Sequence, residues 1–316
     1  MSHDTLVLGV VGGGARTVAH LVAIDNGWRS RPIGVGVSAG ANPSFLGVSD
    51  SRRHLDEAIR LAFENAGLTR DRVLCAAFAL AGTEVDGVLQ QYQKWIDESS
   101  IADRSQVVND AYATLMAGCE DGWGVSLIAA TGSVAFARSP DGVEGSAGGW
   151  GWLLGDDGSG FRIALNGIRA AIQAYDGRGP QTVLMEAMLE AFHVASPAEL
   201  VREVYKFPGN LSDISAKSPV VTRIAGQGDV VAREIVAAAA RQLTAMVMSL
   251  MRRPEFGWEE FPLAFSGGAF NDPIMRECVN ESLQSLGLTP EMHHVQDVTT
   301  GAVRLACELS REIHFP

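Results

Sequence analysis

The chain has 316 residues, a formal net charge of −12, 47% hydrophobic residues and 20% charged residues. This length predicts about two domains, and the composition is that of a folded globular protein rather than a disordered or fibrous one. The acidic balance and the absence of a basic run argue against binding to nucleic acid or to an anionic membrane surface, since both need clustered Lys and Arg.

Cysteine and histidine spacing predicts no metal site. The four Cys residues lie far apart in apolar segments, which is typical of small buried side chains. The N-terminus has no basic segment followed by a long apolar run, so we expect no signal peptide and a cytoplasmic protein. The most apolar helical segment, 235–251, is interrupted by Arg241 and Gln242, and we expect it to be too short and too polar to span a membrane.

Periodicity in the first part of the chain predicts three strands and then alternating helices and strands. The three strands cover 6–10, 17–24 and 33–37, and a helix over 50–66 could be capped by Asp50 or Ser51. The elements that follow are a strand over 73–80, a helix over 85–97, a strand over 106–108 and a helix over 110–117.

A second series begins with the same three-strand opening. Its predicted strands are 124–130, 133–138 and 143–146, followed by a helix over 161–175 and a helical region over 180–253. A strand over 263–266, a helix over 274–286, a strand over 291–295 and a helix over 300–312 complete it. The repeated opening predicts a duplicated α/β unit, giving two lobes with a ligand cleft between them.

Glycines follow the first strand of each series, at Gly12–Gly14 and in the run Ala130-Thr131-Gly132-Ser133. Such turns let backbone N–H groups approach phosphate oxygens, although a plain tight turn fits either one taken alone. No Gly-Lys-Ser/Thr sequence of a P-loop occurs. The residues after Gly14 alternate like a strand, which argues against a dinucleotide-binding oxidoreductase.

Two segments of the first half carry polar residues at strand ends. The run 36–40 matches G-x-S-x-G, but Pro43 shortly afterwards disfavours the helix that a nucleophilic Ser38 needs, so we interpret it as a loop. Asn42 there offers both a donor and an acceptor, as sugar hydroxyls require. Asp110 follows a short strand and opens a helix, which fits either an N-cap or a catalytic base.

The segment 145–160 is the densest signal, with many glycines, two Trp residues and the pair Asp156-Asp157. Apolar rings beside carboxylates suit a polyol ligand. An ordered structural loop, with Asp157 or Ser159 capping the next helix, is the alternative. The run Ser266-Gly267-Gly268 again ends a strand in glycines and could pack against a nucleoside.

Together these segments resemble the N-acetylglucosamine kinase branch of the BadF/BadG/BcrA/BcrD ATPase family, within the actin, sugar-kinase and heat-shock-70 ATPase superfamily. The most specific stretch is GGWGWLLGDDGSGFRIA at 148–164, and the resemblance covers nearly the whole chain. It implies two RNase H-like lobes, 1–118 and 119–297. The helix 298–316 would pack back on the first lobe, and the second would carry a helical insertion.

The resemblance also implies roles for individual residues. Asp110 would be the general base on a sugar hydroxyl, Asn42 and Asp156 would bind sugar hydroxyls, and Gly149 and Trp150 would line the sugar pocket. ATP phosphates would bind at two turns, the first with Gly12, Gly13, Gly14, Arg16 and Thr17 and the second with Thr131, Gly132 and Ser133. The nucleoside would bind at a third turn, with Gly267 and Gly268. The cofactors implied are ATP and Mg²⁺, the partner is a sugar, and the assembly is a homodimer.

The first glycine turn departs from the family pattern, which has an acidic residue and a Thr where this chain has Val11 and Ala15. In the related proteins that carboxylate orders the waters on Mg²⁺. Two functions therefore remain open: an ATP-dependent kinase of an amino sugar, foremost N-acetylglucosamine at its 6-hydroxyl, or a degenerate sugar or nucleotide binder without catalysis. Glucosamine and N-acetylmuramic acid are other substrates that fit the sequence.

Overall fold

The computed structural model describes residues 6–24, 28–83, 87–206 and 211–314. Internal contacts divide the chain into two compact units. The first unit is Met1–Ser126 with His293–Pro316, and the second is Leu127–Met292.

The elements of the chain follow in order, first the strands and then the helices. The strands are β1 (Leu6–Gly12), β2 (Arg16–Ala23), β3 (Gly34–Ala39), β4 (Val73–Leu80), β5 (Ala102–Asn109), β6 (Gly124–Ala129), β7 (Ser133–Arg138), β8 (Glu144–Gly148), β9 (Pro262–Ser266) and β10 (Glu291–His294). The helices are α1 (Pro43–Asn65), α2 (Val88–Ser99), α3 (Asp110–Gly118), α4 (Gly151–Leu154), α5 (Gly160–Tyr175), α6 (Leu184–Phe192), α7 (Pro197–Val204), α8 (Leu211–Ser215), α9 (Ser218–Gly226), α10 (Val230–Met251), α11 (Pro273–Ser285) and α12 (Thr299–His314).

The two sheets share one strand order, which confirms the predicted α/β fold built from a duplicated unit. The first sheet runs β3-β2-β1-β4-β5, and the second, taken from its other edge, runs β8-β7-β6-β9-β10. In the first sheet β1 pairs antiparallel with β2 and parallel with β4, while β4 pairs parallel with β5. Each opening of three strands is therefore followed in space by two strands that return through helices.

Both faces of the first sheet are covered. Side chains that alternate along the strands, such as Leu8 and Val10, join the large core beneath α1 and α2. On the opposite face Ala79 of β4 packs with Ala113 of α3 and Ala302 of α12. These small side chains let the two helices approach the sheet closely, because each removes the width of a larger side chain.

Helix α12 is held against α3 by close backbone packing and by one buried arginine. A Cβ atom added at Gly301 would overlap the carbonyl oxygen of Ala113. The Arg304 guanidinium donates to the carbonyl oxygens of Met116, Cys119 and Glu120 at 3.0, 2.9 and 2.8 Å. It thereby satisfies acceptors at and just beyond the carboxyl end of α3 with a positive charge, the sign that the helix dipole favours there.

Helix α1 begins earlier than the sequence predicts. Asn42 is extended, with φ −72° and ψ 113°, and its side chain accepts from the Ser44 N–H, so Asn42 caps the helix with Pro43 in its first turn. The prediction of Asp50 or Ser51 as the cap is wrong: Ser51 is fully buried and donates to Ala41 O at 2.5 Å. Gly47, at φ 76°, interrupts the helix between the two segments.

Two other elements differ in their bounds. The predicted helix 85–97 is observed from Val88, and residues 84–86 lie outside the described part of the chain. Strand β5 is eight residues long rather than three. It is an edge strand with a largely polar first half, so apolar periodicity marks only its buried end.

Helix α10 is longer than expected, with 22 residues, and among the described helices it alone has the length and apolarity to cross a membrane. The expectation that this segment is too short to span a membrane is therefore wrong. The helix packs against α5, α9, α11, β7 and β8 within the second unit. Buried residues such as Val236, Leu243 and Val247 account for its apolar character as a core helix.

Candidate functional site

The first glycine turn, Gly12–Gly14, is fixed by backbone hydrogen bonds at the carboxyl end of β1. Gly13 N–H donates to Arg16 O at 3.0 Å, and Ala41 N–H donates to Gly13 O at 2.9 Å. Thr17 is fully buried and donates its hydroxyl to Ala39 O at 2.8 Å, whereas Arg16 is exposed. Of these two side chains, Arg16 is therefore the one placed to meet a solvent-borne ligand.

Asp110 lies at the carboxyl end of the strands of the first sheet, as the first glycine turn does. Gly12 pairs with Leu80, and Leu80 pairs with Asn109, so Gly12 and Asn109 are two strands apart, or about 10 Å. Asp110 is half-buried and is the first residue of α3. The chain thus places the first glycine turn and the carboxylate on neighbouring carboxyl ends of parallel strands, where α/β sheets bind ligands.

Asn109, and not Asp110, caps α3. The Asn109 side chain accepts from Ala111 N–H at 2.8 Å, with the extended backbone of an N-cap residue. The cap interpretation of Asp110 is therefore wrong: Asp110 is the first residue of the helix and not its cap. Thr83, which contacts the Asn109 amide at 3.5 Å, supports this corner, and the sequence analysis assigned neither Asn109 nor Thr83 a role.

Asn42 lies beside the loop that follows β4. Its Oδ1 caps α1 through Ser44 N–H at 2.9 Å. A Cβ atom at Gly82, which has φ 77°, would overlap that oxygen, so only glycine permits the approach. Because Oδ1 is engaged in the cap, we expect the Asn42 amide nitrogen rather than its oxygen to meet a ligand.

In the second unit the residues of the glycine loop, Gly148–Gly160, fold back onto the second turn, Thr131–Ser133. Asp156 is 5% exposed and its Oδ1 accepts from Ser133 N–H at 3.1 Å. The Ser133 hydroxyl donates to Asp157 O at 2.8 Å, and Gly149 N–H donates to Ser133 O at 2.9 Å. The structure thus brings together Asp156, Gly149 and the predicted phosphate turn.

Asp156 is held in an unusual backbone conformation. Its φ of 57° is in the left-handed region, which Asp tolerates better than most residues. A Cβ atom on Gly132 would lie 2.8 Å from Asp156 Oδ1, so the missing side chain at Gly132 makes room for the carboxylate. Strain and burial concentrated at one acid are typical of functional sites.

The middle of the glycine loop is the short helix α4, whose Leu153 and Leu154 are exposed. Trp150 is 75% exposed at the start of α4, so its ring face is available to a ligand. Ser159 caps α5 by accepting from Arg162 N–H, which confirms one of the two predicted caps. Arg162 also donates to Gly155 O at 3.1 Å, an anchor of the loop that the sequence analysis missed because the two residues meet only in the folded turn.

The third glycine turn, Gly267-Gly268, follows the end of β9. Gly267 has φ 107°, and a Cβ atom there would overlap the carbonyl of Ala129 on β6. Gly268 faces open space and begins a short 3₁₀ turn, Gly268–Asn271. Gly267 is thus required by strand packing, while Gly268 leaves room for a flat ligand.

No group of three or more His, Cys, Asp or Glu side chains able to hold a metal ion occurs in 6–24, 28–83, 87–206 and 211–314. The first turn offers no acidic ligand either, because it consists of Val11 and three glycines, and the Thr17 hydroxyl donates to Ala39 O. These residues do not fit a protein-held Mg²⁺ at the first turn.

Comparison with known proteins identifies the family. The model of the BadF/BadG/BcrA/BcrD ATPase family matches residues 8–303. This chain belongs to that family. Among curated relatives, the N-acetylmuramic acid/N-acetylglucosamine kinase of Clostridium acetobutylicum is 27% identical over 84% of this chain and 86% of its own. The N-acetyl-D-glucosamine kinase of Dictyostelium discoideum is 28% identical over 83% of this chain and 85% of its own.

Solved structures share the fold. A structure provisionally assigned as an N-acetylglucosamine kinase of Chromobacterium violaceum has a TM-score of 0.77 at 23% identity, covering 96% of this chain and 100% of its own. This likeness shows that the family member shares its fold with that structure over nearly the whole of both chains.

Proposed function

We propose that this family member transfers the γ-phosphoryl group of ATP to an amino sugar, foremost N-acetylglucosamine, at the 6-hydroxyl. One observation carries the proposal. Asp110 follows β5 directly as the first residue of α3, at the carboxyl end of the sheet that also holds the first glycine turn. The kinase names of the curated relatives support the choice of an amino sugar.

Asp110 acts as the general base. It accepts the proton of the sugar hydroxyl as that oxygen forms its bond to the γ-phosphorus, while the bond to the β-phosphate oxygen breaks and ADP leaves. Such a transfer depends mainly on positioning and on charge stabilisation, and a single well-placed base suffices for the proton.

The other residues bind and orient. Asn42, through its amide, and Asp156 hold sugar hydroxyls, while Gly149 and Trp150 line the sugar. The turns Gly12–Gly14 and Thr131–Ser133 hold the phosphates together with the exposed Arg16, and Gly268 faces the nucleoside. Mg²⁺ would be held by the ATP phosphates rather than by side chains of the first turn, and would supply charge neutralisation there.

The test is ADP release from Mg-ATP with N-acetylglucosamine, glucosamine, N-acetylmuramic acid and glucose. We expect turnover with the N-acetylated sugar and none with its 6-deoxy analogue. Asp110→Asn should lower kcat at least 100-fold and leave sugar affinity within about threefold, because general-base catalysis contributes about that factor. Asp121→Asn, an exposed aspartate of the same unit, is the matched control and should keep kcat. Unchanged kcat in Asp110→Asn would contradict the role of base.

A second function is favoured by Val11, the apolar residue in the family's acidic position. It is a sugar or nucleotide binder without useful catalysis. Saturable sugar binding by calorimetry without ADP release would support it. A large gain of turnover in Val11→Asp would then show that the first turn once held the metal.

A further inference from the structure

The second unit contains an apolar cavity of about 650 Å³ whose lining includes none of the residues of the second turn. Its floor is formed by residues of α5 and α8, including Phe161, Ile168 and Ile214, which are 3%, 5% and 1% exposed. Its walls include Leu153 and Tyr205, which are 68% and 81% exposed. A cavity of this volume with a buried apolar floor is typical of small-molecule sites.

The charged residues of this cavity are all of one sign. Arg162, Arg169 and Arg178 line it, and no Asp or Glu is among its lining residues. This is opposite to the chain as a whole, which has a net charge of −12. An apolar cavity whose charged lining residues are all arginines favours an anionic ligand with an apolar body.

The three arginines differ in how far they are engaged. Arg178 pairs with Asp176 at 2.6 Å, and Arg162 donates to Gly155 O and lies 3.8 Å from Asp157. Arg169 is exposed, and within the described residues no carboxylate lies within ion-pair distance of it. Arg169 is thus the guanidinium with donors to offer to a ligand.

We propose that this arginine pocket, the cavity lined by Arg162, Arg169, Arg178, Phe161, Ile168 and Tyr205, binds a small carboxylate with an unbranched or aromatic apolar body. The apolar part packs on Phe161 and Ile168, and the carboxylate meets Arg169. Trp152, from the glycine loop that carries Asp156, also lines the cavity, so its fluorescence reports occupancy.

The test is titration of the full chain with decanoate below its micelle concentration, followed by calorimetry and tryptophan fluorescence, with decanol as the uncharged probe. We expect saturable binding of decanoate, about tenfold weaker binding of decanol, and a fluorescence change that disappears in Trp152→Phe while calorimetric binding persists.

Arg169→Gln and Arg223→Gln form a matched pair, since both arginines are exposed on helices of the second unit and only Arg169 lines the cavity. We expect Arg169→Gln to weaken decanoate about 5- to 10-fold without affecting decanol, and Arg223→Gln to leave both unchanged. Absence of saturable binding, equal affinity for the acid and the alcohol, or an unaffected Arg169→Gln would overturn the proposal. A Trp152 signal that follows protein concentration instead of decanoate, with a matching mass increase in sedimentation, would assign the face to self-association and overturn it equally.

Discussion

The carboxylate of Asp156 accepts a hydrogen bond from the backbone N–H of Ser133 at 3.1 Å. These residues are separated by a hairpin and a helical turn, yet the contact fixes the glycine loop against the second turn. Any change that moves the Asp156 carboxylate should therefore disturb both segments at once.

Gly132→Ala tests this contact. The new methyl group would lie 2.8 Å from Asp156 Oδ1, so the carboxylate must rotate away and lose its bond to Ser133. We expect sugar affinity measured by calorimetry to fall at least tenfold, the equivalent of one charge-assisted hydrogen bond. Gly257→Ala, whose methyl group finds only an ordinary contact at 3.9 Å, is the control and should bind as the original does. Equal affinities in the two variants would mean that Asp156 does not depend on Gly132.

Gly301→Ala tests the packing of α12 on α3. Its methyl group would overlap the Ala113 carbonyl, so the helices must separate, and overpacking of this kind costs about 1–3 kcal/mol. Gly226→Ala, at a helical position with open space around it, should instead be neutral or gain up to about 1 kcal/mol. Urea unfolding monitored by circular dichroism measures the free energy of unfolding of both variants. A Gly301→Ala variant with the same free energy of unfolding as the original chain would show that the helices can move apart without cost.

His20 should make stability depend on pH. Burial lowers its pKa below 6.5, although the charge of Asp297, 3.7 Å away, acts in the opposite direction. Because the pKa of His20 is depressed in the folded state, the unfolded chain takes up a proton at a higher pH than the folded chain does. The full free energy of unfolding is therefore present above pH 6.5, and part of it is lost as the pH falls below that value. We expect the free energy of unfolding to decrease between about pH 6.5 and pH 5.

His20→Gln should flatten that decrease, whereas His193→Asn, a change at an exposed histidine, should keep it. Unfolding midpoints in urea at half-unit pH steps give the comparison. The same slope in His20→Gln as in the original chain would assign the acid sensitivity to other groups.

Asp229→Ala tests the start of α10. The Asp229 carboxylate accepts from Ala232 N–H at 2.9 Å, from the Thr182 hydroxyl at 2.8 Å and from Val183 N–H at 3.1 Å. Loss of an N-cap costs about 0.5–2 kcal/mol, and the extra contacts place this one near the upper value. Asp272→Ala, where a cap bond to Ile274 N–H is lost, should cost about half as much in thermal unfolding. A smaller loss for Asp229→Ala than for Asp272→Ala would contradict this order.

Much of the fold could be predicted because the glycines mark the strand ends. Strands β4 and β7 match their predicted bounds, since short buried apolar runs bordered by turn residues indicate a strand that ends at those turns. The start of α1 could not be predicted from the sequence. Gly47, with a positive φ, interrupts the helical pattern, so the pattern does not show that the helix already begins at Pro43.

The candidate site could be predicted only in part. The sequence singled out Asp110 and Asp156, but two adjacent residues, Asn109 and Asp110, are both good caps, and backbone geometry alone decides between them. The arginine pocket was missed altogether. Its residues come from the glycine loop, α5 and the helices that follow, and no local period connects them.

The position of α12 in the first unit has a consequence for biosynthesis. Residues 127–292, the second unit, are synthesised after the first part of the first unit and before α12, which at 5–20 residues per second takes roughly 8–33 s. During that interval the face of the first sheet that α12 covers lacks its helix, and α12 follows only when the second unit has been synthesised in full. The nascent first unit must therefore stay open, or be shielded by a chaperone, until the later-made neighbour has emerged.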